Sequence, residues 1–227
     1  MPSPEATLYG FWRSSATWRV RIMLGLKRID FEVRPVNLLE NGGEQNRPEY
    51  AAKNPMRQVP VLEILEDDGR TFRLAQSIAI AEYLEERFPD PPLLPKDRVT
   101  RARVRQIAET VNSGIQPLAN TSVRLFVRDT LGSDDAAWCK HWLSRGLAAV
   151  EAMVELTAGR FAVGDAPTLA DVCIVPQLFH ARRFGVGMAG LETLLAVERA
   201  CMELEPFARA HAERQVDAPP RAAQDAR

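Results

Sequence analysis

Few cysteines, no long apolar run and no excess of one charge limit what this chain can be. Its three cysteines, Cys139, Cys173 and Cys201, are widely spaced and form no CxxC pair. They predict buried, reduced thiols in a cytosolic protein rather than a disulfide framework or a zinc site. No apolar stretch approaches the roughly 18 residues needed to cross a bilayer. Because the 29 Lys and Arg residues nearly balance the 30 Asp and Glu residues, the net charge favours neither a nucleic acid nor an anionic membrane as partner.

Hydrophobic periodicity divides the 227 residues into two predicted domains. Residues 1–88 alternate between strand-like and helix-like patterns, including a hairpin with an Asp-Gly turn, which predicts an α/β domain with a mixed sheet. Residues 88–95 contain four prolines and predict a stiff connector. Residues 98–227 show helical patterns without a convincing strand, so they predict an all-helical domain whose end, 217–227, is a loose tail.

Hydroxyl side chains stand where the first predicted strand gives way to a helix. Ser14 and Ser15 precede an apolar helical pattern, and one interpretation is that they only cap this helix. The other is that a hydroxyl at a helix start donates to a bound anion and shares that anion with the helix dipole. A thiolate is such an anion.

A proline opens the strand that begins the predicted hairpin. Pro60 follows Val59, and an ordinary trans bond on an edge strand is one interpretation. The alternative is a cis bond that turns the Val59 backbone outward, where it pairs with a peptide ligand as a strand would.

A polar pair opens the last helix of the first predicted domain. Gln76 and Ser77 cap this helix in the simpler interpretation. In the other, the Ser77 hydroxyl and backbone N–H bind a carboxylate at the positive end of the helix dipole.

These three segments together resemble the zeta class of glutathione transferases. The resemblance rests on Ser-Ser-x-x-Trp-Arg-Val-Arg-Ile from Ser14, Asn-Pro-Met-x-Gln-Val-Pro from Asn54 and Gln-Ser-x-Ala-Ile-x-Glu-Tyr-Leu-Glu-Glu from Gln76. It runs from about Leu8 to about Pro219. The class includes maleylacetoacetate isomerases and is similar to bacterial maleylpyruvate isomerases. The resemblance implies a thioredoxin-like α/β domain followed by an all-α domain, the glutathione transferase fold, in a cytoplasmic homodimer of aromatic amino acid catabolism.

The resemblance also implies glutathione as the cofactor and assigns residues of the first domain to it. Ser14 would face the sulfur and would be catalytic together with Ser15. The rest of that helix start would line the same site: Ala16, Thr17, Trp18 and Arg19. Gln45 matches a residue near the glycine end of glutathione, the Val59 backbone would pair with the cysteinyl unit, and Gln76 and Ser77 would hold the γ-glutamyl end.

The second domain resembles the family at two places. The segment 114–120 is similar to a helix whose Gln and Asn face the active cleft, so Gln116 and Asn120, followed by Thr121 and Ser122, are candidate ligand contacts. Without the resemblance this segment is a solvated helix face kinked at Pro117. Arg183 matches an arginine that meets the substrate carboxylate, although a surface arginine is the alternative.

Thr168 and Asp171 form a Thr-x-x-Asp capping box that we interpret as structural. The three histidines, His141, His180 and His211, have no metal spacing, so no metal is predicted.

Two departures from the family pattern bear on the chemistry. Ala16 stands where the family pattern usually has cysteine. Many bacterial relatives share the pattern without it, so the isomerase interpretation is unaffected, but no protein thiol takes part at that place. The loop 186–191 also lacks the residues that relatives tend to carry, and it leaves the substrate open.

The implied reaction is glutathione-dependent cis–trans isomerisation of a small unsaturated dicarboxylic acid, in which thiolate addition, bond rotation and expulsion regenerate glutathione. The rivals are a conjugating or dehalogenating transferase, a maleylpyruvate isomerase, and a non-catalytic protein of the same fold.

Overall fold

The four strands of the N-terminal part form one mixed sheet. In the computed structural model, which describes residues 5–220, the strands are β1 (Ala6–Gly10), β2 (Phe31–Pro35), β3 (Val61–Leu65) and β4 (Thr71–Ala75). Their order across the sheet is β2-β1-β3-β4; β2 lies parallel to β1, whereas β1–β3 and β3–β4 are antiparallel. The predicted hairpin is confirmed, with Leu62 opposite Leu74.

Three helices accompany this sheet: α1 (Ser15–Leu26), the short α2 (Pro48–Ala51) and α3 (Ser77–Arg87). A crossover through α1 joins β1 to the parallel β2, as parallel strands require. Lys27, just after α1, donates to the Glu85 carboxylate of α3 at 2.6 Å, and both side chains are almost fully buried. The predicted α/β domain is therefore confirmed.

The described residues divide into two compact units. The first unit contains residues 5–91 and 205–220, and the second contains 92–204. The short helix α9 (Glu205–Ala210) packs against α1, and a 3₁₀ turn (Ala212–Arg214) follows it. This division differs from the predicted second domain, 98–227, in the place of residues 205–220.

Part of the expected loose tail is also ordered by contacts. Asp217 is half-buried and accepts a hydrogen bond from the Trp12 N–H at 2.8 Å. The prediction of a loose tail from residue 217 is wrong at this residue, because a contact 205 positions away in sequence leaves no local pattern. Residues 221–227 lie outside the described residues.

The second unit is built from helices. They are α4 (Arg98–Glu109), α5 (Thr121–Leu125), α6 (Asp135–Val154), α7 (Leu169–Arg183) and α8 (Glu192–Met202), with π-helical turns at Thr110–Ile115 and Phe126–Thr130 and a 3₁₀ turn at Gln116–Ala119. The capping box is confirmed at the start of α7, where the Asp171 carboxylate accepts from the Thr168 N–H at 2.7 Å. Within residues 5–220, no helix has the length and apolar character needed to cross a membrane.

Candidate active site

Ser14 stands at the N-cap of α1, where the chain leaves β1. Its backbone is extended, with φ −66° and ψ 117°, and its Oγ accepts a hydrogen bond from the Thr17 N–H at 3.2 Å. The capping interpretation is therefore correct. It does not exclude the other one, because a hydroxyl that accepts still has a proton to donate. Ser14 is also partly exposed, so a ligand anion can reach this proton at the positive end of the helix dipole.

The residues after Ser14 turn mostly away from solvent. The side chains of Thr17, Trp18 and Arg19 have at most 1% of their surface exposed, and Ser15 is buried as well, whereas Ala16 is half-buried. Thr17 packs against Gly10, since a Cβ on that glycine would lie 2.2 Å from the Thr17 Cγ2. This part of α1 supports the site from beneath, and Ser14 is its most accessible hydroxyl.

The buried Arg19 joins two of the predicted segments. Its Nη1 donates to the Ser77 Oγ at 3.2 Å, so the start of α3 is fixed to α1. Gln76, the residue before α3, has φ 72° and an exposed side chain, whereas Ser77 is buried. The first N–H groups of α3 lack partners within the helix and provide donors for a carboxylate.

The segment before β3 presents its backbone for pairing. The Val59–Pro60 peptide bond is cis. The Gln58 carbonyl is held by two donors, the Tyr50 Oη and the Asn54 Nδ2, each at 2.8 Å. Within residues 5–220, no hydrogen bond uses the N–H or C=O of Val59. These two groups are available to an extended peptide that adds as a strand.

Gln45 lies in a 3₁₀ turn (Glu44–Asn46) whose approach depends on a glycine. Gly43 has φ 83°, and a Cβ there would lie 2.4 Å from the Gln45 Nε2. The Gln45 Oε1 is buried and has no hydrogen-bond partner among residues 5–220. A buried amide oxygen of this kind still has the capacity to accept a hydrogen bond from a ligand.

The candidate contacts of the second unit lie where its helical path is broken. Gln116 begins the 3₁₀ turn and Asn120 is the N-cap of α5; both are half-buried, as is Thr121, whereas Ser122 is exposed. The alternative interpretation, a helix that is only kinked at Pro117, is wrong. A π-helical turn precedes the 3₁₀ turn, and the Trp138 Nε1 donates to the Leu118 carbonyl at 2.8 Å, which satisfies a carbonyl left free by the break.

Two arginines flank one aromatic ring at the end of α7. The guanidinium carbon of Arg183 lies 5.8 Å from the Phe184 ring centre, and that of Arg124 lies 4.8 Å from it. Part of the Arg183 side chain is exposed to solvent. Desolvation of the rest, and then the positive charge of Arg124, lower its pKa. Arg124 is itself paired with the Asp135 carboxylate, at 2.7 Å from its Nη2. Arg124, although paired with Asp135, still adds positive potential at Arg183.

Known proteins are similar to this chain in both sequence and fold. The family described as "Glutathione S-transferase, N-terminal domain" matches residues 8–92. A probable maleylacetoacetate isomerase of Drosophila melanogaster is 45% identical over 216 residues, 95% of this chain and 92% of the relative. The maleylacetoacetate isomerase of Pseudomonas aeruginosa is 43% identical over 215 residues, 93% and 98% of the two chains.

Solved structures of proteins with related names have the same fold as this chain. The maleylacetoacetate isomerase of Anaeromyxobacter dehalogenans, with glutathione in its active site, has a TM-score of 0.87 and 52% identity over 96% of this chain and all of that one. A zeta-class maleylpyruvate isomerase has a TM-score of 0.87 and 40% identity, with 94% and 100% coverage. This chain belongs to the zeta-class glutathione transferase family. The thioredoxin-like fold of its first unit and the glutathione transferase fold as a whole are confirmed.

Three contributors to this zeta-class site were not predicted. Tyr50 and Asn54 hold the Gln58 carbonyl, and Arg124 stands beside Arg183. Asn54 lies inside a motif that carried the resemblance, so its position was visible although its contact was not. Tyr50 and Arg124 carry no motif of their own, and only the folded chain brings them to these sites.

One of the three cysteines of this zeta-class chain, Cys139, lies beside Arg124. All three are thiols rather than members of a disulfide, and all three are fully buried. Burial, only partly opposed by the nearby Arg124 charge, raises the pKa of Cys139 to about 11. Burial also raises the pKa of Cys201. Among the described residues, no three His, Cys, Asp or Glu side chains gather as a metal site would require.

Proposed function

We propose that this chain is a glutathione-dependent cis–trans isomerase of a small unsaturated dicarboxylic acid, with maleylacetoacetate as the first candidate. The observation that carries the proposal is the Ser14 hydroxyl, partly exposed at the N-cap of α1 with its proton free to donate. Relatives named maleylacetoacetate isomerase, at 43–45% identity over more than nine-tenths of this chain, support the substrate class.

The first unit fits glutathione as cofactor at several separate points. The unused Val59 N–H and C=O suit the cysteinyl unit, and the start of α3 at Gln76 and Ser77 suits the γ-glutamyl carboxylate. The orphaned Gln45 amide suits the glycine end. Ser14 faces the thiol, and the buried Ser15 lines the same site from beneath. Of the remaining predicted residues, Ala16, Thr17, Trp18 and Arg19 act by shaping the start of α1.

Activation of the thiol follows from the position of Ser14. A thiol has an ordinary pKa of about 8.5, and each 1.4 kcal/mol of preference for the thiolate lowers it by about one unit. A hydroxyl hydrogen bond and a helix N-terminus both favour the anion. Bound glutathione supplies the thiolate that adds to the cis double bond and leaves after rotation, so that no glutathione is consumed.

The second unit supplies groups for the acid. The Arg183 guanidinium provides paired donors of the geometry that a carboxylate accepts. No carboxylate among residues 5–220 forms an ion pair with it, and Arg124 adds positive potential. The remaining proposed ligand contacts lie in the 3₁₀ turn and at the start of α5 that follows it: Gln116, Asn120, Thr121 and Ser122.

The finer biological setting is part of the same proposal. Three buried reduced thiols suit a cytoplasmic enzyme. We propose a homodimer, a small-molecule substrate with no nucleic-acid or membrane partner, and a role in aromatic amino acid catabolism. Exposed apolar side chains such as Met56, Leu65 and Phe72 are available for subunit contacts.

Absorbance assays with maleylacetoacetate and maleylpyruvate, each with and without glutathione, test the function. We expect turnover only when glutathione is present, with total free glutathione unchanged at the end. Faster turnover of maleylpyruvate, the substrate named for a relative at 40% identity, would reassign the substrate. Consumption of one glutathione per product would indicate a conjugating transferase, and failure to bind glutathione would indicate a non-catalytic protein.

A further inference from the structure

The segment after α8 returns to the first unit and reaches the loop that carries Ser14. The helix α9 packs on α1, where Gly25 makes room for Pro206: a Cβ on Gly25 would lie 3.2 Å from the Pro206 Cβ. From α1, the Arg21 Nε donates to the Ala210 carbonyl at 3.2 Å. Arg21 therefore ties the end of α9 to α1, and the chain then continues to Asp217.

Trp12 is held through both of its backbone polar groups. The Asp217 Oδ2 accepts from the Trp12 N–H at 2.8 Å, and the Arg21 Nη2 donates to the Trp12 carbonyl at 2.8 Å. The Arg21 and Asp217 side chains are almost two hundred residues apart in the sequence, yet both form hydrogen bonds with the backbone of Trp12. Hydrogen bonds from charged groups are about twice as strong as neutral ones.

The two side chains that hold Trp12 differ in burial, and Asp217 is the less buried of them. Arg21 has only 3% of its surface exposed. Its burial lowers its pKa to about 9, partly offset by the Asp217 charge, so the guanidinium is protonated at neutral pH. Burial likewise raises the pKa of Asp217, while the Trp12 N–H and Arg21 oppose that rise. Each charge is the nearby counter-charge of the other.

The gripped residue is two positions from Ser14. β1 ends at Gly10 and α1 begins at Ser15, and the Ser14 N–H donates to the Phe11 carbonyl at 3.0 Å. Trp12 is thus an inner residue of the turn that this bond closes. The Trp12 N–H and C=O are not used by the turn itself, so their direction is set by Asp217 and Arg21.

We propose that Asp217 and Arg21 are positioning residues that hold Trp12 and thereby fix the Ser14 hydroxyl toward the glutathione sulfur. This inference rests on the proposed function for its catalytic consequence. It gives the segment 205–220 a part in thiol activation through the Trp12 backbone.

The test compares Asp217→Ala with Asp217→Asn. Alanine removes the acceptor of the Trp12 N–H, whereas the asparagine amide oxygen keeps an acceptor there. Glu213→Ala is the matched control, because Glu213 is an exposed acid of the same segment, whereas the Trp12 N–H donates to Asp217. Melting temperature is measured for every variant, so that a general loss of stability is recognised.

Two measurements distinguish a residue that positions Ser14 from one that only stabilises the fold. Ultraviolet titration gives the pKa of bound glutathione, and the dissociation constant of S-methylglutathione gives binding without a thiol. We expect Asp217→Ala to raise the bound thiol pKa by about one unit, equivalent to roughly tenfold less thiolate below that pKa, with S-methylglutathione affinity nearly unchanged. Asp217→Asn recovers most of the shift, and Glu213→Ala matches the parent. An unchanged thiol pKa in Asp217→Ala, or an equal loss of S-methylglutathione affinity, overturns the inference.

Hydrogen exchange of the Trp12 amide, measured without glutathione, tests the grip independently of the function. We expect protection in the parent and in Asp217→Asn, and its loss in Asp217→Ala. Equal protection in all three contradicts the grip itself. An unshifted thiol pKa in the parent contradicts the proposed thiol activation instead, so the two failures are distinguishable.

Discussion

The two units present their ligand groups in different ways. In the first unit the candidate groups belong largely to the backbone or to helix starts: the Val59 N–H and C=O, the beginning of α3 and the Ser14 hydroxyl at the N-cap of α1. In the second unit the main candidate is a charged side chain, Arg183, close to Arg124. Backbone groups and helix starts come with the fold, so they suit a cofactor that a whole family uses. A single side chain such as Arg183 can be replaced without changing the fold, so it suits recognition of a substrate that varies.

This comparison predicts that substitutions in the two units separate into two kinetic classes. Changes in the first unit alter glutathione or its thiol, and changes in the second alter recognition of the acid while leaving the thiol unchanged. The predictions below test this separation in order of decreasing effect.

Replacing Ser14 has the largest expected effect. Ser14→Ala removes the proton donor to the thiolate, and we expect turnover to fall by about a hundredfold, the size of effect seen when one donor to a developing anion is lost. Binding of S-methylglutathione changes far less, because other groups hold the tripeptide. Steady-state kinetics and calorimetric titration measure the two quantities.

A matched variant separates this role from capping, because Ser14 also caps α1. Ser14→Asp keeps a good N-cap acceptor but brings a negative charge to the sulfur. We expect Ser14→Ala to lose about 1 kcal/mol of unfolding free energy and Ser14→Asp to lose little, while both lose turnover. Turnover that follows stability across the pair would show that Ser14 is only a cap.

Replacing Arg183 has an intermediate expected effect. Arg183→Met removes the paired donors for a carboxylate, and we expect KM for the dicarboxylic substrate to rise about tenfold or more, as for a lost hydrogen bond to a charged group. The pKa of bound glutathione stays at the parent value. Initial rates over a range of substrate concentrations measure KM.

Arg182→Met is the control for this variant. The neighbouring Arg182 is already paired, since its Nη1 donates to the Glu198 Oε1 at 2.6 Å. It should leave KM close to the parent value. If Arg183→Met weakens glutathione and the acid together, the two units do not separate and Arg183 is a structural residue.

The difference between the units also explains what the sequence could predict. The hairpin of β3 and β4, the helix α3 and the capping box at Thr168 are local patterns, and all were predicted and are confirmed. The broken helical path at Gln116 was not predicted, because π-helical and 3₁₀ turns there depend on packing such as the Trp138–Leu118 hydrogen bond.

Among the candidate site residues, too, those in local motifs could be predicted from the sequence and those that depend on long-range contacts could not. Ser14, Val59 and Ser77 lie in contiguous motifs and could be singled out from the chain alone, although their ligand roles remain predictions. Arg124 and Asp217 could not, since their importance comes from what they meet in space: the Arg183 side chain in one case and the Trp12 backbone in the other. Long-range contacts of single residues leave no periodic signal.

The smallest expected effect concerns the source of the sulfur. Ala16 places a methyl group at the start of α1, and the three cysteines of this chain all lie in the second unit. A thiol such as Cys139, with a pKa of about 11, is a thiolate in only roughly one molecule in ten thousand at pH 7. Burial denies it contact with substrate as well.

The nucleophile must therefore come from glutathione. Single replacements of Cys139, Cys173 and Cys201 by alanine, and the triple variant where it folds, should isomerise substrate at close to the parent rate with glutathione present. Neither they nor the parent should turn over without it. The single variants keep the test decisive if the triple variant is unstable, because each buried sulfur also fills space in the second unit. Glutathione-independent turnover by the parent that one alanine abolishes would identify a protein thiol as the nucleophile and move the chemistry from the first unit to the second.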